Sequence, residues 1–237
     1  MTTWIFQATP DDFKIDEFIA SKPSECLWRV SRYEKEIAVG DTVFLWRAKG
    51  KAIAESAIFG RAKVIEAASV QKPGSAQRDY WTKVPDRDSR EPRVLLGGVE
   101  LLEPKQFIMK NSLSGDPLAG SLSILRMAQG TNFRTTGEEA TRLDRLWQYI
   151  DQPWSRSDLI AVLQAFEESG RPENGHLTDG ALREVATVVG RTVSRINAKV
   201  SVFALLEHGL TPADPIGMPL ERTVWAEKRK MDLRAVA

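Results

Sequence analysis

The sequence predicts an α+β fold, in which a small mixed β-barrel with flanking helices is followed by an all-helical region. Up to about residue 102, short β-branched and aromatic runs alternate with turn signals, and few helical segments separate them. Beyond residue 154, apolar residues recur instead at helical spacing. This change of period predicts two structural classes in one chain.

The strands of the first half are predicted from runs rich in Val, Ile, Phe and Trp. Gly40 and Asp41 form a turn signal before one of these runs. A helix is predicted over residues 11–21, where apolar side chains recur at helical spacing after a proline. The predicted strands are residues 3–8, 27–30, 42–46, 57–66, 93–96 and 99–102.

Helices dominate the prediction beyond residue 103. Thr136 is predicted to cap a helix that runs to Ile150, and Ser155 with Asp158 three residues later is a capping-box signal. Two further helices are predicted, from about 179 to 189 and from about 192 to 208. An apolar stripe at helical spacing consists of Leu159, Val162, Leu163 and Phe166.

A domain boundary is predicted at residues 151–153, where a proline separates the two patterns. The predicted domains are residues 1–150 and residues 154–237. A chain of 237 residues is long enough for two small domains that each bury a core.

Composition excludes several classes of protein. The net charge is +1, from 33 Lys and Arg against 32 Asp and Glu, so overall charge neither supports nor excludes a nucleic-acid partner. The single cysteine, Cys26, excludes an internal disulfide framework and a cysteine-based zinc site. No signal peptide or membrane-length apolar run is recognised, and we expect a cytoplasmic protein.

Four segments in the first half carry a resemblance to a known family. Residues 28–33 read Trp-Arg-Val-Ser-Arg-Tyr, and residues 37–46 place Gly-Asp before an aromatic strand that ends in Trp. Residues 58–64 read Ile-x-Gly-x-Ala-x-Val, and residues 129–133 read Gln-Gly-Thr-Asn-Phe. This order of landmarks resembles the EVE domain, which belongs to the PUA-like group and is related to the YTH domain. The resemblance covers about residues 1–150 and implies a PUA-like mixed β-barrel.

The resemblance implies a pocket that holds a modified nucleobase, turned out of the helix, between aromatic side chains. Trp28 corresponds to one aromatic wall. The second wall comes from a later loop, which here offers Tyr80 and Trp81, and the sequence does not decide between them. The residues predicted to bind the base are Trp28, Ser31, Arg32, Trp46, Tyr80, Trp81 and Asn132.

A base that leaves the helix needs aromatic and polar contacts, and residues of these types can supply them. Aromatic faces return about 1–3 kcal/mol of the stacking that the base loses. Burial of one methyl group contributes only about 0.8 kcal/mol, so selectivity for a modified base also needs shape and hydrogen bonds to the base edge. Ser31, Arg32 and Asn132 are candidates for those bonds. Candidate phosphate contacts are Arg29, Arg32, Arg47, Lys49 and Lys51.

The second half contains a helix-turn-helix-like segment, about residues 179–208. Ala186, Gly190 and Ile196 have the small–glycine–aliphatic spacing that two crossing helices require. The alternative is a plain helical hairpin with a glycine stop. Under the first interpretation, the residues placed to contact the nucleic-acid backbone are Arg191, Ser194, Arg195 and Lys199.

This region is also similar to the helical segment that precedes the nuclease in EVE–HNH modification-dependent restriction proteins. An HNH nuclease needs a histidine base and metal-binding residues, whereas this chain has only His176 and His208, apart from each other. We therefore predict no catalytic residue, no metal and no cofactor. A nuclease would be absent, degenerate or supplied by another chain or domain.

The predicted function is binding of nucleic acid that contains a modified base, with 5-methylcytosine or a related base in DNA as the first candidate. The chain would be the recognition part of a modification-dependent restriction or defence system. Two alternatives stay open: a reader of modified RNA, and a non-catalytic adaptor that keeps the fold without the pocket. No membrane partner is expected, and the oligomeric state is not predicted.

Overall fold

A computed structural model describes residues 1–51, 55–127, 129–150, 152–209 and 219–236. The chain divides into two compact units. Unit 1 comprises Met1–Ser114 and Leu118–Arg142, and unit 2 comprises Gly115–Pro117 and Leu143–Ala237. The sheet lies in unit 1 and the last four helices lie in unit 2, so the predicted α+β class is confirmed. The predicted domain boundary includes Asp151, which lies outside the described residues.

The described strands form one mixed sheet in unit 1. The strands are β1 (Thr3–Ala8), β2 (Glu25–Arg29), β3 (Thr42–Arg47), β4 (Ala57–Gln71), β5 (Glu91–Leu101), β6 (Ile108–Met109) and β7 (Asn132–Arg134). Their order is β2-β5-β4-β3-β1-β7, and β6 pairs with β4. β1 and β3 are parallel, whereas the other pairs are antiparallel.

The inner strands bury nearly continuous apolar runs. Trp4, Ile5 and Phe6 of β1 are buried, and so are all residues from Val43 to Trp46 of β3. Such runs are typical of strands that are covered on both faces. β4 changes character along its length, because its first residues are buried and most of those beyond Val64 are not.

β5 is a single strand, whereas the sequence predicted two strands separated at Gly97 and Gly98. The strand continues through Gly97, which faces Ile65 of the neighbouring β4. A Cβ at Gly97 would lie 2.7 Å from Ile65 Cδ1, a distance that real Cβ atoms essentially never show. The glycine therefore allows close side-chain packing and does not mark a turn.

Short helices connect the strands of unit 1, and a longer helix follows the last strand and includes residues of both units. α1 begins four residues later than predicted, because the preceding residues form backbone hydrogen bonds with residues 80–82. Thr136 caps α5 as predicted, since Glu139 N–H donates to Thr136 Oγ1 and Thr136 N–H donates to the Glu139 carboxylate. The helices are α1 (Ile15–Ser21), α2 (Val84–Asp88), α3 (Lys110–Ser114), α4 (Ser123–Arg126) and α5 (Gly137–Gln148).

Unit 2 is helical. Its described helices after α5 are α6 (Arg156–Glu168), α7 (Asp179–Val189), α8 (Val193–Glu207) and α9 (Pro219–Val236). The predicted capping box of Ser155 and Asp158 starts α6, and the predicted apolar stripe of α6 is buried in the core. Strongly charged α9 was not predicted, although its Val224 joins that core. None of the described helices has the length and apolar character needed to cross a membrane.

A buried carboxylate anchors the start of the sheet. Asp41 accepts hydrogen bonds from Thr2 N–H at 2.7 Å, Trp4 Nε1–H at 2.8 Å and Ala38 N–H at 3.0 Å. These donors belong to the start of β1 and to the turn before β3, so one side chain joins two parallel strands. Burial raises the pKa of Asp41, but the three hydrogen bonds lower it, and the net direction is down.

We expect Asp41→Asn to lower the free energy of unfolding by about 1.5–3 kcal/mol at pH 7, because charge-assisted hydrogen bonds are lost. Since the folded-state pKa lies below the ordinary 3.8, this contribution is present above pH 3.8 and disappears as pH falls through the folded-state pKa. Urea unfolding from pH 7 to pH 2 measures both effects. Asp16→Asn, which changes a carboxylate with 76% of its side chain exposed, is the control. Equal stability of the two variants at pH 7 would contradict this role.

Candidate functional site

Two segments that are far apart in the sequence lie side by side in unit 1. Phe13 and Trp81 form an isolated antiparallel bridge. Lys14 N–H donates to Tyr80 O at 2.8 Å, and Thr82 N–H donates to the backbone oxygen of Asp12 at 3.0 Å. We call residues 9–14 and 80–83 the covering segments. Their mutual hydrogen bonds delay the start of α1 until Ile15.

A cavity of about 100 Å³ lies among the covering segments, β1 and β2. This volume is several times the about 10–15 Å³ that one ordered water molecule needs. The cavity is lined by Gln7, Ala8, Thr9, Asp12, Phe13, Leu27, Trp28, Arg29, Trp81 and Thr131. The site therefore takes residues from both covering segments, from β1 and β2, and from the residue before β7.

Three aromatic side chains line this cavity. The ring of Phe13 contacts the other two, with its centroid 6.1 Å from that of Trp28 and 5.2 Å from that of Trp81. Trp28 is only 6% exposed, whereas Trp81 keeps a larger accessible surface. The cavity thus offers apolar ring surface, on which a flat molecule can stack.

The structure separates the two aromatic residues between which the sequence left the choice open. Trp81 lines the cavity, while Tyr80 packs against Phe13 and Phe18 at ring distances of 5.7 and 5.8 Å. Trp46, another predicted base contact, is 2% exposed in the core on β3 and does not line the cavity. Tyr80 and Trp46 therefore support the fold around the site.

Ser31 and Asn132, which were predicted to contact the base, bond to each other. Ser31 N–H donates to Asn132 Oδ1 at 3.0 Å, and the hydroxyl of Thr131 donates to the same oxygen at 2.6 Å. The hydroxyls of Ser31 and Thr131 lie 2.5 Å apart. Of the three, only Thr131 lines the cavity. Asn132 Nδ2 is buried and has no hydrogen-bond partner among the described residues.

Several cations lie close to the cavity. Arg29 lines it and forms an ion pair with Glu91 at 2.8 Å. Lys49 and Lys51 are exposed in a loop that touches a covering segment, since Lys51 N–H donates to the Asp11 carboxylate at 3.2 Å.

Two other predicted cations occupy different positions. Arg32 is exposed beside Gly130, where a Cβ would lie 3.7 Å from Arg32 Nη1. Arg47 stacks over the ring of Phe107 at 4.8 Å, with 13% of its side chain exposed. Arg47 is therefore a packing residue, whereas Arg32 is accessible.

Sequence reasoning missed the polar residues of the cavity. Gln7, Thr9, Asp12 and Thr131 contribute to its wall, and none was predicted as a base contact. Thr9 and Asp12 follow β1 and flank Pro10, so a turn signal was present. Nothing in the sequence, however, indicated that this turn faces residues 80–83.

The predicted helix–glycine–helix spacing of unit 2 has the expected local geometry. Ala186 and Ile196 are fully buried, and Gly190 ends α7 with a φ of +84°. Thr192 caps α8 through its side chain, which accepts a hydrogen bond from Arg195 N–H. Binding to a nucleic-acid backbone would also require that the cations predicted in this segment face the ligand.

The burial and the hydrogen bonds of Arg191 contradict the prediction that this residue contacts phosphate. Its side chain is 1% exposed and lies over the ring of Trp154 at 4.4 Å. Its guanidinium donates to the backbone oxygens of Tyr149, Gln152 and Pro153 at 2.8–3.2 Å, and to the Asp158 carboxylate at 3.2 Å. These bonds fix the chain before α6, and the cation has no surface left for a phosphate.

Arg195 and Lys199, the predicted cations of α8, also bond to protein groups. Arg195 Nη1 donates to the backbone oxygens of Tyr149 and Ile150. Lys199 forms an ion pair with buried Glu221 of α9. Of the four residues predicted to contact the nucleic-acid backbone, only Ser194 is exposed. The plain helical hairpin, the alternative interpretation of the sequence, therefore fits unit 2 better than a groove-binding helix-turn-helix.

Within the described parts of the chain, no three His, Cys, Asp or Glu side chains form a group that could hold a metal ion. His176 Nδ1 lies 3.4 Å from Asn197 Oδ1, and His208 follows α8 as its C-cap. Cys26 is buried, and burial raises the pKa of its thiol to about 12.

Comparison with known protein families gives a match over most of unit 1. The family model described as EVE domain matches residues 2–143, which is more than half of the chain. The resemblance inferred from the sequence landmarks is thereby confirmed. No curated protein matches the chain.

Solved structures show a weaker likeness. A hypothetical protein from Leishmania major is 16% identical, with a TM-score of 0.46, and the match covers 64% of this chain and 98% of that one. Human THYN1 protein in complex with 5-methylcytosine containing DNA is 16% identical, with a TM-score of 0.44 and coverage of 65% and 100%. The DUF55 domain of human thymocyte nuclear protein 1 is 15% identical, with a TM-score of 0.43 and coverage of 64% and 100%.

We expect Arg191→Ala to lower the free energy of unfolding of unit 2 by about 3–5 kcal/mol, because it breaks an ion pair whose cation is buried and removes the donor to three backbone oxygens. Chemical denaturation followed by circular dichroism measures the loss. Ser194→Ala, three residues away and exposed, should change stability by less than about 0.5 kcal/mol. A fully stable Arg191→Ala variant would show that the hydrogen-bond network does not support the hairpin.

Proposed function

This chain belongs to the EVE domain family, and from that premise we propose that unit 1 binds nucleic acid at a modified base. The base, 5-methylcytosine or a related base in DNA, would turn out of the duplex and enter the cavity among β1, β2 and the covering segments. The single observation that carries this proposal is the aromatic lining of that cavity by Phe13, Trp28 and Trp81.

The energetics of base extrusion favour such a cavity. Removing a base from the duplex costs a few kcal/mol, which a binding site must return. Stacking on aromatic side chains returns about 1–3 kcal/mol per base. The methyl group of a modified base adds about 0.8 kcal/mol when it is buried against apolar surface. Trp81, which is accessible and lines the cavity, is the best placed of the three rings for this contact.

Polar groups of the cavity wall would read the edge of the base. Asp12 is the most informative of them, because a carboxylate accepts hydrogen bonds and therefore pairs with an exocyclic amino group such as cytosine N4. Its carboxylate forms an ion pair with Lys83 at 2.5 Å, which orients it. Thr9 and Thr131 add hydroxyl groups that both donate and accept. These residues take the role that the sequence assigned to Ser31 and Asn132.

Phosphate contacts would also come from unit 1. Lys49 and Lys51 adjoin the covering segment at Asp11, and Arg32 adjoins Gly130 beside the cavity-lining Thr131. Among the described residues, none of the three cations forms an ion pair. Cations that carry no internal partner are the ones that release counterions when they meet a nucleic acid.

We further propose that the chain recognises nucleic acid for a partner and does not itself cut it. The similarity of residues 154–199 to the helical segment of EVE–HNH restriction proteins supports a role in a modification-dependent restriction or defence system. The nuclease would then belong to a separate chain or domain. Such a role places the protein in the cytoplasm with the DNA it surveys.

We expect tighter binding to a duplex with 5-methylcytosine than to the same duplex without it, at matched salt. Trp81→Ala should weaken binding to the modified duplex by about 1–3 kcal/mol, or about 5- to 150-fold, and affect the plain duplex less. Fluorescence anisotropy with labelled duplexes measures both affinities. A matched RNA with and without 5-methylcytosine tests whether the natural ligand is RNA.

Tyr80→Leu is the control for this experiment, because Tyr80 packs on Phe13 and Phe18 without lining the cavity. It should keep the preference for the modified duplex. A folded Trp81→Ala variant that discriminates as well as the wild type would refute the assignment of the cavity. Equal wild-type affinity for all modified and plain DNA and RNA would refute the proposed function.

A second expectation concerns salt. Lys49→Ala and Lys51→Ala should weaken binding to modified and plain duplexes alike, and each should reduce the slope of log K against log salt by about 1. The reason is that a cation on a phosphate meets the same charge at every sequence. Titrations at several salt concentrations measure the slope. Lys63→Ala, an exposed lysine on β4, is the control, and equal slopes for all three variants would count against this phosphate track.

A further inference from the structure

Arg93 of β5 is a fully buried arginine that lies next to the proposed site without lining it. Its side chain is 0% exposed. Its guanidinium lies over the ring of Trp81, with the central carbon 5.4 Å from the ring centroid. Because Arg93 covers one face of this ring and does not line the cavity, Trp81 presents a different part of its ring to the cavity.

The polar contacts of Arg93 are few for a buried cation. Nε donates to the backbone oxygen of Gln71 at 3.3 Å, and Nη2 lies 3.5 Å from the Glu91 carboxylate. Nη1 is buried and has no hydrogen-bond partner among the described residues. Burial lowers the pKa of Arg93, while the negative charges of Glu91 and Asp86 oppose this and the positive charge of Arg29 adds to it.

Stability alone does not account for this arrangement. A buried ion pair with long contacts and an unsatisfied donor is often replaced by an apolar side chain of similar volume at no loss of stability, or with a gain. Arg191 provides the contrast within the same chain, because it is equally buried but donates to three backbone oxygens and a carboxylate. Arg93 is the less well satisfied of the two cations.

What distinguishes Arg93 is its pair of connections to the cavity wall. It stacks on Trp81 directly, and it shares Glu91 with Arg29, whose Nη2 lies 2.8 Å from that carboxylate. Trp81 and Arg29 both line the cavity. Trp81 itself lies outside the sheet strands, between a 3₁₀ helix (Ser75–Tyr80) and α2, and the isolated bridge to Phe13 holds only its backbone.

We propose that Arg93 is a positioning residue, which holds the ring of Trp81 in the orientation that stacks on the bound base. This inference rests on the function proposed above and adds a residue that never touches the ligand. The planar guanidinium restrains the ring from its far face, and Glu91 couples the same cation to Arg29. Both contacts exist in the free protein, so the site is formed before the base enters.

The test compares Arg93→Met, Arg93→Lys and the wild type. Met fills the space without charge, while Lys keeps a cation that can lie over the ring. Thermal unfolding of Arg93→Met should occur at or above the wild-type temperature. Its preference for the modified over the plain duplex should fall by about tenfold, the size expected for loss of a desolvated cation–π contact. Arg93→Lys should recover part of that preference.

A second measurement does not require nucleic acid. Fluorotryptophan incorporated into the free protein gives a ¹⁹F resonance for Trp81, identified by its loss in Trp81→Phe. We expect one sharp line in the wild type, and a broadened or split line in Arg93→Met. Arg191→Met, which removes another buried arginine from a tryptophan ring, should lower stability but leave both this line and the duplex preference unchanged.

The outcomes separate the two proposals. If the wild type shows no preference for a modified base but the Trp81 line broadens in Arg93→Met, the proposed function fails and the positioning of the ring stands. If Arg93→Met keeps both a sharp line and the full preference, the positioning role is overturned. If Arg93→Met does not fold, Arg93→Lys is compared with the wild type alone. A folded Arg93→Lys variant with a broadened Trp81 line and a reduced preference supports the role, because it lacks the planar guanidinium. A folded Arg93→Lys variant with the wild-type line and the full preference overturns it.

Discussion

The cavity lies where the two ends of the sheet are joined by hydrogen bonds to side chains and not by pairing of the strands. β2 and β7 stand at opposite ends of the strand order, yet Ser31 N–H, just beyond β2, donates to Asn132 Oδ1 of β7. Continuous backbone pairing would bring the edges within about 5 Å of each other along their length. A contact of side chains at one point instead leaves a gap beside it, and β1, β2 and Thr131 line that gap.

The covering segments turn the gap into a binding site. Their hydrogen bonds hold Phe13 against Trp81, and the aromatic side chains around them divide into two groups. The rings of Phe18 and Tyr80 pack against each other and do not line the cavity, whereas those of Trp28 and Trp81 line it. A site built from loops is precise only when packing fixes its rotamers, and this aromatic cluster, with Arg93 behind Trp81, supplies that packing.

Most of the fold could be predicted from residues that are close together in the sequence. The features that could not be predicted depend on contacts between distant residues. The capping boxes at Thr136 and Ser155 and the buried stripe of α6 depend on residues three or four positions apart, so the sequence contains them in full. The choice between Tyr80 and Trp81 depends on a bridge to Phe13, nearly seventy residues away. Similarly, Gly97 is a turn signal in the sequence. Its actual role, close packing against Ile65 of the neighbouring strand, is visible only in the structure.

Three cations of unit 2 were misassigned for a related reason. Helical spacing shows that Arg191, Arg195 and Lys199 are near one another, but not whether their side chains meet solvent or protein. Their partners are carbonyls before α6 and a carboxylate of α9, and sequence gives no distance to either. The near-zero net charge conceals this division. In unit 2 these three cations bond to internal partners and stabilise helix packing. In unit 1, by contrast, Arg32, Lys49 and Lys51 are exposed near the cavity.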